Sequence, residues 1–257
     1  MSTALYDRVI FGPIHSRRLG LSLGVNLLPL DHKLCSFDCI YCECGWGEKR
    51  EKVRFNDREM VRRELERKLT EMVEAGTPPD VITFAGNGEP TLHPDFGEII
   101  EDTIALRDRI APRAKVSVLS NATQIGRERV RAALLRVDNN ILKLDSAFDR
   151  TVRLVDRPRG NYSVAETVEN MKKFEGQLIV QTMFLRGEFD GKIVDNTTEE
   201  EVSAWLALIR EIAPRQVMVY TIDRSTPAEN LQKVTVEELK AIAARVEALG
   251  ITCSVAG

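Results

Sequence analysis

Short apolar, β-rich runs alternate with amphipathic stretches of helical period along nearly the whole chain, and this alternation constrains the fold more than any other feature. LSLGVNLLPL (21–30) predicts a strand feeding a cysteine-rich loop, and residues 57–75 predict a long helix. VITFAG (81–86) and FGEIIEDTIALRDRI (96–110) repeat the pair. KVSVLS (115–120) precedes a helix predicted over 126–136, ILKLD (141–145) one over 163–175, LIVQTMFL (178–185) one over 198–212, and VMVYTI (217–222) one over 235–249. ITCSV (251–255) predicts a short last strand. Strand and helix in alternation predict parallel pairing through right-handed crossovers. About six such units are too few for a closed eight-stranded barrel. That leaves an α/β fold of one of two kinds, a laterally open, partial (β/α)6 barrel or an open doubly wound sheet. No Pro/Gly/Ser-rich linker divides the units, so one domain over 1–257 is expected. Both architectures bind ligands at the carboxyl ends of the strands, here the loops 31–48, 86–93, 120–124, 145–160, 185–197 and 221–229.

With 43% hydrophobic and 29% charged residues, the composition is that of a globular protein and excludes collagen, disordered and membrane classes. A net charge of -3 argues against a protein that holds nucleic acid mainly through overall charge. The start lacks the apolar stretch of a secretory signal and the end carries no lipidation box, so a cytoplasmic location with no membrane association is expected. Four of the five cysteines, Cys35, Cys39, Cys42 and Cys44, fall within ten positions, while Cys253 stands apart. An odd, clustered set fits a metal or redox site better than a disulfide framework. Cys44 and Cys253 are expected to be unpaired, buried thiols.

Cys35, Cys39 and Cys42 have C-x3-C-x2-C spacing, and three thiolates on one short loop suit zinc or an iron-sulfur cluster. Zinc would need a fourth ligand, from Cys44 or His32. A 4Fe-4S cluster with three protein ligands would keep one iron open for another molecule.

The other strand ends carry polar groups. In Gly86-Asn87-Gly88-Glu89-Pro90 two glycines admit close backbone approach beside a carboxylate suited to an ammonium. Ser120 and Asn121 could hydrogen-bond a carboxylate or ribose, or cap the following helix. Lys143 and Asp145 lie on one face of a strand and need partners or a ligand, and Gln181 is a similar inward polar group. His15, His32 and His93 fall on predicted loops, with His93 expected to cap or pack. Arg17, Arg18, Arg157, Arg159 and Arg224 could grip anions, whereas the mixed-sign run 49–54 reads as a solvated loop. No Ser-His-Asp array or P-loop competes for the active site.

The C-x3-C-x-aromatic-C spacing after a first strand resembles the signature of the radical S-adenosylmethionine (SAM) enzymes. The resemblance implies a partial barrel of the radical SAM type in which Cys35, Cys39 and Cys42 hold a 4Fe-4S cluster. It implies that the cluster cleaves SAM reductively to a 5′-deoxyadenosyl radical, which abstracts hydrogen from the substrate. It places Tyr41 against the adenine, Glu89 on the cofactor's amino group with Gly86 and Gly88 in backbone contact, and Asp145 near the ribose. A reductant such as flavodoxin or ferredoxin would supply the electron. The runs Gly12 to Gly20, Asp156-Arg157-Pro158, Gln181 to Phe184 and Ile222-Asp223-Arg224 resemble the group of wyosine-forming tRNA enzymes, which rebuild a guanine in tRNA with pyruvate carbons. That implies a tRNA base or nucleotide-derived substrate, and a Schiff-base lysine for which Lys143 is the candidate. Those enzymes hold a second cluster on further cysteines, and this sequence has no second cysteine group. Two alternatives stand beside this reading: a glycyl-radical activating enzyme acting on a partner protein, and a zinc-stabilised binding protein without catalysis.

Overall fold

The structure, a computed structural model, describes residues 5–16, 19–48 and 53–257. In chain order the elements are β1 (Ile10–Ser16), β2 (Gly20–Val25), α1 (Arg58–Glu74), β3 (Val81–Phe84), α2 (Phe96–Ile110), β4 (Lys115–Ser120) and α3 (Glu128–Leu134). Then follow β5 (Asn139–Lys143), α4 (Asp149–Val155), α5 (Val164–Lys172), β6 (Ile179–Met183), β7 (Leu185–Phe189) and β8 (Lys192–Asp195). The chain ends with α6 (Glu199–Ile212), β9 (Gln216–Tyr220), β10 (Leu231–Lys233), α7 (Val236–Glu247) and β11 (Thr252–Ala256).

One sheet runs in the order β1-β2-β3-β4-β5-β6-β9-β11. All its pairs are parallel except β1 with β2. A doubly wound sheet must reverse its strand order at a switch point, and this sequential order never does. The sheet curls into a partial barrel of six βα units and a closing strand, with β1 at one edge and β11 at the other. A second sheet, β10-β7-β8, is antiparallel.

Alternation along each strand separates two faces. Ile82 and Phe84, Val116 and Val118, Leu142, Val180, Val217 and Val219 pack in the main core together with the buried stripes of the helices. In α1 that stripe is Val61, Leu65, Leu69 and Met72, and Asp57 caps the helix by accepting from Glu59 N and Met60 N. Trp205 of α6 is fully buried and its indole N–H donates to Leu144 O and Thr182 Oγ1, both at 3.1 Å, pinning α6 across β5 and β6. Ile141, Ile179 and Met218 form a separate apolar cluster on the other face. Two residues on from Ile141 and Ile179, Lys143 and Gln181 sit opposite each other in register. The concave face therefore turns from apolar to polar at the carboxyl ends.

Several boundaries differ from expectation. The strand predicted over 21–30 stops at Val25, because the Asn26 side chain accepts from Leu28 N at 3.2 Å and Asn87 N at 3.2 Å and turns the chain. ILKLD is shifted, the strand ending at Lys143. The run 178–185 divides into β6 and β7, where Asn196 accepts from Leu185 N and donates to Met183 O. The helix α4 lies inside a segment expected to be loop. His15 belongs to β1 and not to a loop. Among the described residues, no helix is long and apolar enough to cross a membrane.

Candidate radical site at the carboxyl ends of the strands

The cysteine loop is fixed from two sides. Leu34 N donates to Asn87 O at 2.8 Å and Glu89 N donates to Leu34 O at 3.0 Å, a one-residue bridge to the turn after β3. Gly88 is required there, since it has φ +140° and a Cβ would lie 1.8 Å from Leu34 O. Opposite, Asp38 N bonds Asp156 O, Ile40 N bonds Val155 O, and Arg159 N bonds Ser36 O, at 2.8 to 2.9 Å. Phe37, Ile40 and Tyr41 are buried against Val155, Met183, Leu185, Val194 and Ile222, so the second sheet and α4 buttress the loop.

On this frame Cys39 is buried and Cys35 and Cys42 are half-buried. Cys35 Sγ accepts from Phe37 N and from Asn121 Nδ2, each at 3.4 Å. Burial pushes the Cys35 thiol up to about 12. A hydrogen bond from Cys44, helped by Lys33, brings Cys42 down to about 6 despite burial. Among the described residues no three His, Cys, Asp or Glu side chains converge on a point that could hold a single metal ion. Three thiols on one braced loop, with Cys35 already receiving two N–H donors, suit the corners of a cluster. Cys44 Sγ lies 3.3 Å from Gly86 O, and both Cys44 and Cys253 are half-buried, not buried as expected.

Glu89 is fully enclosed and receives four protein donors. Oε1 accepts from Thr91 N at 3.1 Å, Thr91 Oγ1 at 2.5 Å and Ser120 Oγ at 2.9 Å, and Oε2 accepts from Asn121 N at 2.6 Å. Burial raises its carboxyl above the ordinary value. Oε2, with one protein donor, retains a lone pair for an ammonium. Gly86, at φ +124°, lies so close to Asn26 that a Cβ would come within 2.6 Å of its Oδ1. Ser120 and Asn121 do not cap α3, whose N-cap is Arg127. Asn121 instead bonds Glu89 through its backbone and Cys35 and Ser36 through its side chain.

A buried charged group completes the site. Lys143 Nζ bonds Asp145 Oδ2 at 3.1 Å and the Tyr41 hydroxyl, and lies 3.9 Å from Asp156 Oδ1. Tyr41 OH donates to Asp145 and, at 3.1 Å, to Asp156. Lys143 Nζ lies 4.7 Å from the Tyr41 ring centroid. Burial opposes the Lys143 charge, but Asp145 and its neighbours outweigh it and hold the group cationic. The ammonium is thereby tied to Asp145, Asp156 and the Tyr41 hydroxyl. Asp156, raised to about 8 by burial and then by Asp145, also accepts from Cys39 Sγ at 3.2 Å. Gln181 is buried beside Lys143.

Sequence reasoning did not single out Lys33, Asp156 or Asn196 as individual site residues. Asp156 meets Cys39 across 117 positions, and no local spacing signals such a contact. Asn196 donates to Asp145 O at 2.9 Å and Met183 O at 2.7 Å, holding Asp145 in place. His93 clamps Asn56 O and Asp95 N. The His32 ring bonds Asp31 at 2.7 Å. Arg159 pairs with Asp38 and Arg224 with Glu43. Arg17, Arg18 and residues 49–52 lie outside the described residues.

Residues 32–197 match the Radical SAM superfamily. The chain is 30% identical over 240 residues to a protein named GTPase Obg from Brachyspira hyodysenteriae, an alignment covering 92% of this chain and 33% of that protein. The chain thus spans about a third of that relative's length. It is also 30% identical to the UPF0026 protein MJ1312 from Methanocaldococcus jannaschii, over 92% of this chain and 70% of that one. Among solved structures it is similar to TYW1 with a lysine-pyruvate adduct bound, at TM-score 0.60 and 14% identity, covering 88% of this chain and 73% of that one.

Proposed function

The chain belongs to the radical SAM superfamily, and from that premise we propose that it is an enzyme in which Cys35, Cys39 and Cys42 hold a 4Fe-4S cluster and the substrate is a tRNA base or other nucleotide-derived molecule. Superfamily membership sets aside the non-catalytic zinc reading. Held by Cys35, Cys39 and Cys42, such a cluster would pass one electron from an external reductant to SAM, the chemistry that would give methionine and a 5′-deoxyadenosyl radical able to take a hydrogen atom from the substrate.

The observation that carries this reading is Asn121, whose backbone N–H donates to Glu89 at 2.6 Å and whose amide donates to Cys35 Sγ at 3.4 Å. Thiols and carboxylate therefore belong to one site. Glu89 would receive the cofactor's ammonium on Oε2, with Gly86 and Gly88 giving backbone access and Ser120 fixing the carboxylate. Asp145, held by Asn196 and Lys143, would accept from ribose hydroxyls, with Tyr41 and Gln181 shaping the pocket around the nucleoside. Lys143 stays an ion-pair anchor, and we assign no carbonyl adduct to it.

Support for the substrate class comes from the wyosine-forming TYW1 among the structural neighbours and from the surface that follows the cysteine loop. Trp46 is 40% exposed, and the Arg157 guanidinium lies 5.0 Å from its ring centroid and 5.1 Å from that of Phe189. An open aromatic face beside an arginine suits a base and its phosphate. A cleft of about 950 Å³ takes in Arg157 and Phe189, its lining balanced between basic residues such as Arg153 and Lys192 and acidic ones such as Asp190 and Glu201.

Anaerobic reconstitution with iron and sulfide, dithionite reduction and an assay for 5′-deoxyadenosine test the reading. Wild-type protein should cleave SAM and Cys39→Ala should not. A protein that holds the cluster yet never forms 5′-deoxyadenosine, even with cell extract as a source of substrate, contradicts it.

A further inference from the structure

Lys33 sits two residues before the first cysteine and its side chain is 1% exposed. A buried ammonium needs charge or hydrogen-bond partners. Its Nζ donates to Gly45 O at 2.9 Å and to Asp38 Oδ1 at 3.1 Å. Asp38 cannot neutralise it fully, because the same carboxylate accepts from Gly47 N at 2.8 Å and faces Arg159 Nη2 at 3.4 Å. Both partners belong to the cysteine loop, for Gly45 N bonds Cys42 O at 2.9 Å and Asp38 directly precedes Cys39. The ammonium is thus enclosed by the loop that carries the three thiols, while its own ion-pair partner is shared with a second cation.

We propose that Lys33 is a positioning and tuning residue for the iron-sulfur centre: it closes the loop across Asp38 and Gly45 and raises the reduction potential of the cluster held by Cys35, Cys39 and Cys42. The inference rests on the cluster assignment above. Reduction adds one negative charge to a thiolate-bound cluster, and a fixed cation at close range in a poorly solvated pocket favours the more negative state. Asp38 acts in the opposite sense. Its carboxylate is nearby, so removing its charge while keeping its shape should make reduction easier.

The test is a redox titration of reconstituted protein followed by electron paramagnetic resonance (EPR), with iron and sulfide measured for each variant. Lys33→Met should lower the reduced-to-oxidised ratio at fixed potential by about tenfold, a shift of about 59 mV to more negative potential for a one-electron couple. Lys33→Arg should stay near wild type, and Asp38→Asn should shift to more positive potential. A purely structural brace would not give opposite signs for its two ends. A Lys33→Met protein with full cluster content and unchanged potential overturns the proposal. If Lys33→Met assembles no cluster, Asp38→Asn decides, and the absence of a positive shift overturns it. A wild-type protein without a 4Fe-4S cluster overturns the reading beneath it, an outcome separate from a cluster indifferent to Lys33.

Discussion

Glu89 shows how much of the site depends on single atoms. Its two oxygens accept four hydrogen bonds inside a fully buried pocket, so it organises the strand ends before any ligand arrives. Glu89→Gln would set an amide N–H₂ against donors that now meet a carboxylate. Leaving such groups unpaired costs about 1–3 kcal/mol. Urea unfolding should register that loss, and an unchanged midpoint would mean the carboxylate is not organising the turn. The residue types of this site were legible in the sequence because cysteine spacing and a Gly-Asn-Gly-Glu-Pro turn are local patterns. Lys33, Asp156 and Asn196 were not, since each acts through partners brought close only by the fold or by burial.

At the scale of elements, the small sheet β10-β7-β8 was the part least legible. Its strands are three to five residues long, too short for a periodic signal, and β7 continues directly from the apolar run of β6. The long helices were read within a residue or two, because caps such as Asp57 and stripes such as Val61, Leu65, Leu69 and Met72 are written locally. The small sheet is tied to the barrel by Arg186 of β7, which donates to Glu238 Oε1 of α7 at 2.7 Å. Glu238 also closes the capping box with Thr235. Arg186 first, then the Thr235 backbone and hydroxyl, lower the Glu238 carboxyl from 4.5 to about 2. A depressed folded-state value contributes stability that is present above 4.5 and is lost as pH falls through about 2. Glu238→Gln should therefore flatten the pH dependence of unfolding across that acid window. An acid limb as steep as wild type would show that the ion pair contributes nothing.

For the molecule as a whole, the alternation of strands and helices predicted the number of units, and the sequential strand order decides between the two architectures it allowed. Periodicity could not make that choice, because an isolated βα unit looks the same in either. The cysteine loop is packed into an apolar cluster shared by α4, the small sheet and the segment after β9. A ligand that binds only the folded arrangement stabilises it by mass action. Stripping the metal with chelator and oxidant should accordingly lower the thermal midpoint, and anaerobic reconstitution should restore it. Identical melting with and without iron would uncouple the loop from the fold.

We propose that three thiols hold a cluster with one corner left for SAM. This is tested most directly by EPR spectra of the reduced, reconstituted protein recorded as SAM is added, beside iron and sulfide analysis. The expected result is a 4Fe-4S signal that depends on Cys35, Cys39 and Cys42 and changes shape on addition of SAM. A signal indifferent to SAM, or a single divalent ion in place of the cluster, would contradict it.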